Sequence, residues 1–400
     1  MPAAPLGRNF FVYLVSRFCS GMGMTLLRST IAWHVFALSG SAFHLGLIGL
    51  VQFVPALALS LIAGAAADTY DRRRIMLAAQ SVELLAAISV LVAIRAERLD
   101  LVALYAAAFV IAAVMSLQNP ARAALLPSLV PREVFPRAVT LASTNQALAF
   151  ISGPALGGLV IAEAGIGAAY AVYACLVAAS ASALFLVRTP GRPEGSARVT
   201  MRAITDGLTF VRRQPVVLGC MTLDMFAVIF GGAAALLPIY ANEILGVGAR
   251  GYGLLTSSME MGALLCSLVL TAMPPIRRPG RALLAAVAVY GTATIVFGAS
   301  RSFPLSIAAY MTAGIADQVS VVMRSTMIQL ATPDELRGRV SSVNFIFIGA
   351  SNQLGAVESG FVATLTSATF AVVSGGIGCL AVLAWVAAKL PELRRYRVPA

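Results

Sequence analysis

The sequence predicts an all-α integral membrane protein in which twelve transmembrane helices form two six-helix bundles. Composition gives the first indication. Of the 400 residues, 59% are hydrophobic and 12% charged, with a mean hydropathy of +0.86, so polar surface is too scarce for a water-soluble domain. The apolar runs are too long for barrel strands, and helices satisfy their own backbone groups in lipid. An internal repeat gives the third indication, because it makes the second half a copy of the first.

The repeat has an offset of 202 residues and holds without a gap. Five positions of the first half, Arg122, Pro131, Glu133, Arg137 and Gly153, recur as Arg324, Pro333, Glu335, Arg339 and Gly355. Each copy contains the inner end of one apolar span, a charged turn and the whole of the next span. Such self-similarity indicates a duplicated bundle.

The apolar runs divide each half into six spans of about 20 residues or more. The first set covers 9–38, 43–67, 73–95, 100–122, 136–163 and 166–188. The second set covers 215–242, 250–273, 281–299, 303–328, 339–365 and 367–389. The predicted domains are therefore an N-terminal bundle (1–188), a linker rich in Pro, Gly and charge (189–214), and a C-terminal bundle with a short tail (215–400).

The arginines predict the orientation of the helices. Most lie in alternate short loops on one side, and the few on the other side are Arg95, Arg98, Arg250 and Arg301. This asymmetry predicts a multi-pass protein of the cytoplasmic (inner) membrane with both termini in the cytoplasm. It also accounts for the net charge of +12, so nucleic-acid binding is not expected.

Neither a metal site nor a cofactor is expected. His34 and His44 lack partners at ligand spacing, and the five cysteines lie apart within apolar runs. The only lysine, Lys389, is not part of a phosphate-binding Gly-x-x-x-x-Gly-Lys loop, which argues against an ATP-driven pump within this chain.

The second loop reads Gly64-Ala-Ala-Ala-Asp68-Thr-Tyr-Asp71-Arg72-Arg73-Arg74. It resembles the loop signature of the major facilitator superfamily, with Asp71 standing where that signature has glycine. The resemblance implies a cytoplasmic latch formed by Gly64, Asp68, Asp71, Arg72 and Arg73. Ordinary positive-inside charges are the alternative interpretation.

The fifth span contains Gly153-Pro154-Ala155-Leu156-Gly157-Gly158. Small residues one turn apart favour close helix packing, and the proline favours a bend. The segment resembles the Gly-Pro-x-x-Gly-Gly signature of antiporters in the same superfamily, which implies export. Simple helix packing by Gly153, Pro154, Gly157 and Gly158 explains the pattern almost as well.

Further segments narrow the resemblance. They are Asn119-Pro120-Ala121-Arg122, Leu223-Asp224-Met225-Phe226, Thr332-Pro333-Asp334-Glu335-Leu336-Arg337 and Gly349-Ala350-Ser351-Asn352-Gln353-Leu354-Gly355. Together they resemble the bacterial branch that holds the enterobactin exporter and proton-linked drug and macrolide efflux pumps. The resemblance implies a pseudo-two-fold between the bundles and a central site opened alternately to each side. It further implies proton-coupled export of a small amphipathic compound, either a drug or a siderophore-like metabolite.

Ionisable groups within the spans are functional candidates, because each costs about 2.5–3.5 kcal/mol on insertion scales. Candidate proton carriers are Asp224, Asp317 and Glu358, and candidate counter-charges are Arg17, Arg28 and Arg324. Arg17 and Arg28 lie about 20° apart around their helix, and Asp317 and Arg324 also share a face. A carboxylate that alternates between a poorly hydrated environment and a guanidinium would bind and release a proton. Any one of these acids could instead be structural, and Glu83 on the third span is interpreted in that way.

The expected partners are a small-molecule substrate, protons and the lipid bilayer, and a monomer is expected. Uptake or uniport of a polar nutrient is the alternative within transporters. From a different class, the chain could be a non-transporting receptor or an enzyme on the same fold. An enzyme is disfavoured because neither histidine is placed to activate a nucleophile.

Overall fold

The computed structural model describes residues 6–188, 208–274 and 276–396, and within these ranges it leaves out the side chains at 56, 60–69, 123, 132 and 335. This part of the chain is almost entirely helical and contains no β-strand. The predicted linker lies largely outside the described residues. Its residues 208–213 are helical.

Five helices form the first half. They are α1 (Arg8–Ser39), α2 (Ala42–Thr69), α3 (Arg72–Arg95), α4 (Leu101–Leu125) and α5 (Phe135–Leu186). The 52 residues of α5 are kinked at Gly165, where φ is 82° and ψ is 170°. Glycine adopts this conformation without a Cβ penalty. The turn expected between 163 and 166 is therefore a single kinked residue, and α5 contains both the fifth and the sixth spans.

Seven helices form the described second half. They are α6 (Pro215–Phe230), α7 (Gly248–Ala272), α8 (Pro279–Ala299), α9 (Phe303–Ala331), α10 (Arg337–Leu365), α11 (Ala368–Lys389) and the short α12 (Pro391–Arg395). The seventh span is less regular than expected, because α6 ends at Phe230 before two glycines. Short 3-10, α and π turns then continue it to Ile244.

By length and composition, ten described helices could cross a membrane. The kink divides one of them, α5, into two segments. The 29 residues of α10 are long enough to span a bilayer, although α10 is not among these ten helices. The count is therefore consistent with twelve spans, and the all-α membrane fold class is confirmed.

The turns preserve the repeat. A 3-10 turn covers Arg132–Val134 before α5, and another covers Asp334–Leu336 before α10, which is again an offset of 202 residues. Both turns follow a proline and precede a long helix. The duplicated sequence thus folds into duplicated local structure.

Side-chain caps define several helix ends. The Asp100 carboxylate accepts from the backbone N–H of Ala103 at 2.8 Å, and Ser367 Oγ accepts from that of Phe370 at 3.1 Å. Such caps satisfy amides that have no partner within the helix. At the end of α1, Gly40 adopts a left-handed conformation, and its N–H donates to the Phe36 carbonyl.

The chain forms two compact units. Unit 1 comprises Met1–Gly40, Val51–Val199 and Ala249–Ser257, and unit 2 comprises Ser41–Leu50, Thr200–Gly248 and Ser258–Ala400. The core of unit 1 includes Phe10, Tyr13, Met76, Leu125 and Leu184. The core of unit 2 includes Met221, Leu283, Met327, Val343 and Cys379. Large apolar side chains also lie exposed along the helices, as lipid contact permits, among them Leu85, Val102, Phe185 and Trp385.

Candidate functional site

A buried ion pair joins α6 to α9 in unit 2. The Asp224 carboxylate contacts the Arg324 guanidinium directly, and the two side chains are 11% and 4% exposed. Burying a charge costs several kcal/mol, which is offset only when an opposite charge is well placed. The structure therefore brings together a predicted proton carrier and a predicted counter-charge.

Asp317 belongs to a second polar group in unit 2. It lies about two turns before Arg324 on α9 and is partly buried. It interacts electrostatically with Glu260 on α7 and with Tyr290 on α8. The Tyr290 hydroxyl donates to the Gly231 carbonyl at 3.1 Å, which connects α8 to the irregular end of α6.

Glu358 is held locally. It is partly buried on α10, and its carboxylate accepts from the hydroxyl of the adjacent Ser359 at 3.3 Å. The three predicted acids therefore have different neighbours. Asp224 contacts an arginine, Asp317 interacts with a second acid and a tyrosine, and Glu358 bonds to a serine.

The two arginines of α1 differ in exposure. Arg17 is partly buried and donates to the side-chain oxygen of Gln146 on α5. Arg28 is exposed. Their spacing predicts a shared face, and the shared role of the two arginines stays a prediction.

The repeat arginine of the first half, Arg122, lies inside unit 1. Its guanidinium donates to Ser20 Oγ on α1 at 2.7 Å and to Gln118 Oε1 at 3.1 Å. The Gln118 amide nitrogen in turn donates to Glu83 on α3. A second donor to Glu83 is the Tyr173 hydroxyl on α5, at 3.5 Å. A chain of polar groups thus connects all four helices.

A smaller cluster adjoins it on α3. Gln80 donates to Ser180 Oγ at 2.9 Å, and this hydroxyl lies 3.0 Å from Ser16 Oγ. Sequence reasoning missed these polar contacts, and it interpreted Glu83 as structural. The available signal was the spacing of Gln80 and Glu83, which places two polar side chains on one face of an apolar helix.

The loop residues of the first half act on helix ends. The Asp71 carboxylate caps α3 by accepting from the N–H groups of Arg73 and Arg74. Arg72 donates to the Ala124 carbonyl at 2.8 Å, at the end of α4. Arg73 donates to the last carbonyls of α5, those of Leu184 at 3.1 Å and of Phe185, and lies over the Phe185 ring. These cations complement the negative ends of the helix dipoles.

Two members of the predicted latch fall outside this description. Gly64 and Asp68 lie in α2 within 60–69, whose side chains are outside the described set. The contacts of Asp71, Arg72 and Arg73 are those of helix caps within unit 1. The latch function itself stays a prediction.

The glycines of α5 are sites of close helix contact. A Cβ atom at Gly153 would lie 2.6 Å from the Met22 carbonyl on α1, and one at Gly157 would lie 3.2 Å from Ser29 Oγ. At Gly158 it would lie 2.5 Å from the Ala249 carbonyl and 2.7 Å from Gly253 Cα on α7. The consecutive glycines Gly157 and Gly158 therefore allow two different helices, α1 and α7, to pack closely against α5.

The repeat reproduces this packing in unit 2. A Cβ atom at Gly355 would lie 2.7 Å from the Val228 carbonyl on α6. At Gly360, which is 202 residues after Gly158, it would lie 2.8 Å from Gly46 Cα on α2. The glycines thus have equivalent packing roles in the two copies.

The remaining repeat charges lie at the surface. Glu133, Arg137 and Arg339 are exposed, whereas the Glu335 side chain is outside the described set. Of the repeated charged positions whose side chains are described, Arg122 is partly buried and Arg324 is buried.

Sequence comparison gives a match along the whole chain. A model of the family described as transmembrane secretion effector (MFS_3) matches residues 1–398. The enterobactin exporter EntS of Shigella boydii serotype 18 is 23% identical over 392 residues, covering 97% of this chain and 93% of EntS. EntS of Escherichia coli O1:K1 gives the same identity and coverage.

Structural comparison finds transporters of similar fold. The nucleoside transporter NupG superposes with a TM-score of 0.76 at 10% identity, covering 95% of this chain and 99% of NupG. A POT family transporter in complex with 5-aminolevulinic acid gives a TM-score of 0.75 at 12% identity, with 97% of each chain covered. A bacterial homologue of the lysosomal transporter Spinster gives 0.69 at 14% identity, covering 96% of this chain and 95% of that one. At these identities the likeness establishes the fold alone.

Proposed function

Because this chain belongs to the transmembrane secretion effector family of the major facilitator superfamily, we propose that it exports a small amphipathic compound in exchange for protons. It is a multi-pass membrane transporter rather than an enzyme. The similarity to proteins named enterobactin exporter supports export, and a drug or a siderophore-like metabolite as the substrate. Movement of the substrate follows alternating access, as the fold allows.

The observation that carries proton coupling is the buried pair of Asp224 and Arg324. A proton on Asp224 neutralises the carboxylate and leaves the Arg324 charge without its counter-ion. The electrostatic contact between α6 and α9 then weakens, and these helices become free to repack. Loss of the proton restores the contact, so the protonation state of Asp224 selects between two arrangements.

Asp317 and Glu358 are the other candidate carriers. Asp317 faces a second acid, Glu260, and a tyrosine, so it has a different electrostatic environment from Asp224. Glu358 has a local serine partner. In unit 1, Arg17 and Arg28 are the proposed counter-charges.

The proposal includes a cellular setting. The protein acts in the cytoplasmic membrane as a monomer, with both termini in the cytoplasm. Its two bundles comprise 1–188 and 215–400, joined by a cytoplasmic linker at 189–214. The loop from Gly64 to Arg73 serves as a latch on that side, and the glycines from Gly153 to Gly158 allow the fifth span to bend.

The test uses inside-out membrane vesicles, whose lumen corresponds to the cell exterior. Acidifying the lumen should drive accumulation of added enterobactin or ethidium, and a protonophore should abolish it. Asp224→Asn should remove the dependence on the proton gradient. The matched control is Asp100→Asn, which makes the same charge change at an exposed helix cap that asparagine can still form.

Uptake or uniport gives different outcomes. If an acidic lumen instead drives the probe out of preloaded inside-out vesicles, the direction of transport in the cell is import. Gradient-driven transport that survives both Asp224→Asn and Asp317→Asn would show that neither acid couples protons to transport.

A further inference from the structure

We propose that Glu83 is a second proton-binding residue, which acts within unit 1 through Gln118 on Arg122. The inference deepens the proposed function, since it assigns to the first bundle a carboxylate that responds to the same protons. It stands on the polar chain between α1, α3, α4 and α5. The sequence repeat offers no equivalent of this acid, because position 285 is Ala285.

Glu83 is 2% exposed in the middle of α3, where an ionisable group is costly to keep. Gln118 and Tyr173, which donate hydrogen bonds to Glu83, are uncharged side chains. The guanidinium of Arg122 is separated from Glu83 by the Gln118 amide. Within the described residues, Glu83 is thus not in direct contact with a cation, and its carboxyl group can bind and release a proton.

Arg122 and Arg324 occupy equivalent repeat positions, and a buried guanidinium needs a counter-charge. In unit 2 that charge is Asp224 on α6. The residue 202 positions before Asp224 is Met22, whose uncharged side chain cannot balance the charge of Arg122. In unit 1 the acid that acts electrostatically on Arg122 is Glu83, contributed by a different helix.

The Gln118 amide points its nitrogen at Glu83 and its oxygen at Arg122. A proton on the facing oxygen of Glu83 adds an O–H donor at that oxygen. When this O–H group points at Gln118, the amide reverses so that its oxygen accepts from Glu83. The reversal presents an N–H group to the Arg122 guanidinium, where two donors cannot bond.

The consequence is transmitted to α1. After the reversal, Arg122 keeps its bond to Ser20 and loses the bond to Gln118. Protonation on α3 therefore moves a cation toward α1. The titratable groups that face Glu83 are Arg122 on α4 and Tyr173 on α5. Arg17 and Tyr13 on α1 in turn act electrostatically on Arg122.

The experiment measures protonation without any transport substrate. Full-length protein in lipid nanodiscs is titrated with acid, and infrared difference spectra follow the carbonyl stretch of protonated carboxyl groups. Wild type should show one band that is absent in Glu83→Gln, with the loss of one titrating proton per molecule. Glu392→Gln, an exposed acid on α12, is the control and should keep that band.

Two further variants keep the proposal falsifiable if Glu83→Gln folds poorly. Tyr173→Phe removes one donor from Glu83 and should shift the frequency of the same band. Gln118→Leu should separate Glu83 from Arg122 and change the pH at which the band develops. A titration in which all three variants match wild type would overturn the proposal.

Transport provides a separate readout. In the vesicle assay with ethidium, Glu83→Gln should flatten the pH profile of accumulation while leaving probe binding in place. An unchanged profile would refute a role for Glu83 in coupling. If the wild type transports neither probe under any gradient, the proposed function fails, and the infrared titration still decides whether Glu83 binds a proton.

Discussion

Breaking the pair of Asp224 and Arg324 should destabilise unit 2 by an amount that depends on which partner remains. Arg324 is 4% exposed and Asp224 is 11% exposed, so solvent screens neither charge well. Removing one member of a buried pair costs about 3–5 kcal/mol, much of it the cost of the charge left behind. We expect the loss of stability in Asp224→Asn to lie near the lower end of this range, because asparagine keeps an oxygen that can accept from the guanidinium.

The double variant tests whether the two effects share one cause. Asp224→Asn with Arg324→Gln removes both charges, so its loss should fall short of the sum of the single losses. The difference is the coupling energy, which is about 0.5–3 kcal/mol for groups in contact and is expected in the upper part of that range for this buried pair. Equilibrium unfolding in mixed lipid and detergent micelles measures all four proteins of the cycle.

A double-mutant cycle on an exposed ion pair is the control. Arg337 and Asp334 form an ion pair at 2.9 Å, with side chains 52% and 80% exposed. Their coupling should be about 0–1 kcal/mol, since water screens the pair. Single losses for the buried pair that add within about 0.5 kcal/mol would show that Asp224 and Arg324 are not coupled.

Two other substitutions probe packing and helix ends. Gly158→Ala should lower the melting temperature because its methyl group would meet α7 backbone, whereas Gly167→Ala, with only Ile94 at 3.7 Å, should match wild type in the same thermal scan. A harmless Gly158→Ala would mean that α7 moves away at no cost. Arg73→Gln should cost about 1–2 kcal/mol in micelle unfolding through the lost bonds to the end of α5. Arg74→Gln, which changes an exposed side chain, should cost little, and equal losses would contradict the capping role.

The membrane fold could be predicted from the sequence because lipid leaves the backbone few alternatives. A long apolar run must satisfy its own amides, so hydropathy located the spans, and the repeat and motifs identified the superfamily. Local details were harder to predict. The turn expected near 163–166 is one residue, Gly165, in a continuous helix, and the seventh span ends its α-helix at Phe230.

The buried charges were identified more readily than their partners. Spacing placed Asp317 and Arg324 on one face of α9, but Arg324 contacts Asp224 of α6. The rotation of one helix against its neighbour decides such contacts, and periodicity within a helix carries no information about it. The contacts of Glu83 could not be predicted for the same reason, since Gln118 and Tyr173 lie on two other helices.

Duplication followed by divergence gives the two bundles different means of holding the same cation. Arg324 has an acid in direct contact, so protonation of Asp224 removes its counter-charge in one step. Arg122 meets its acid through an amide, so protonation of Glu83 changes the orientation of a hydrogen bond before it changes the setting of the charge. The two sites should therefore respond differently to the same chemical substitution. An uncharged mimic at position 224 should both lower stability and remove the dependence of transport on the proton gradient, whereas one at position 83 should flatten the pH profile with a smaller loss of stability.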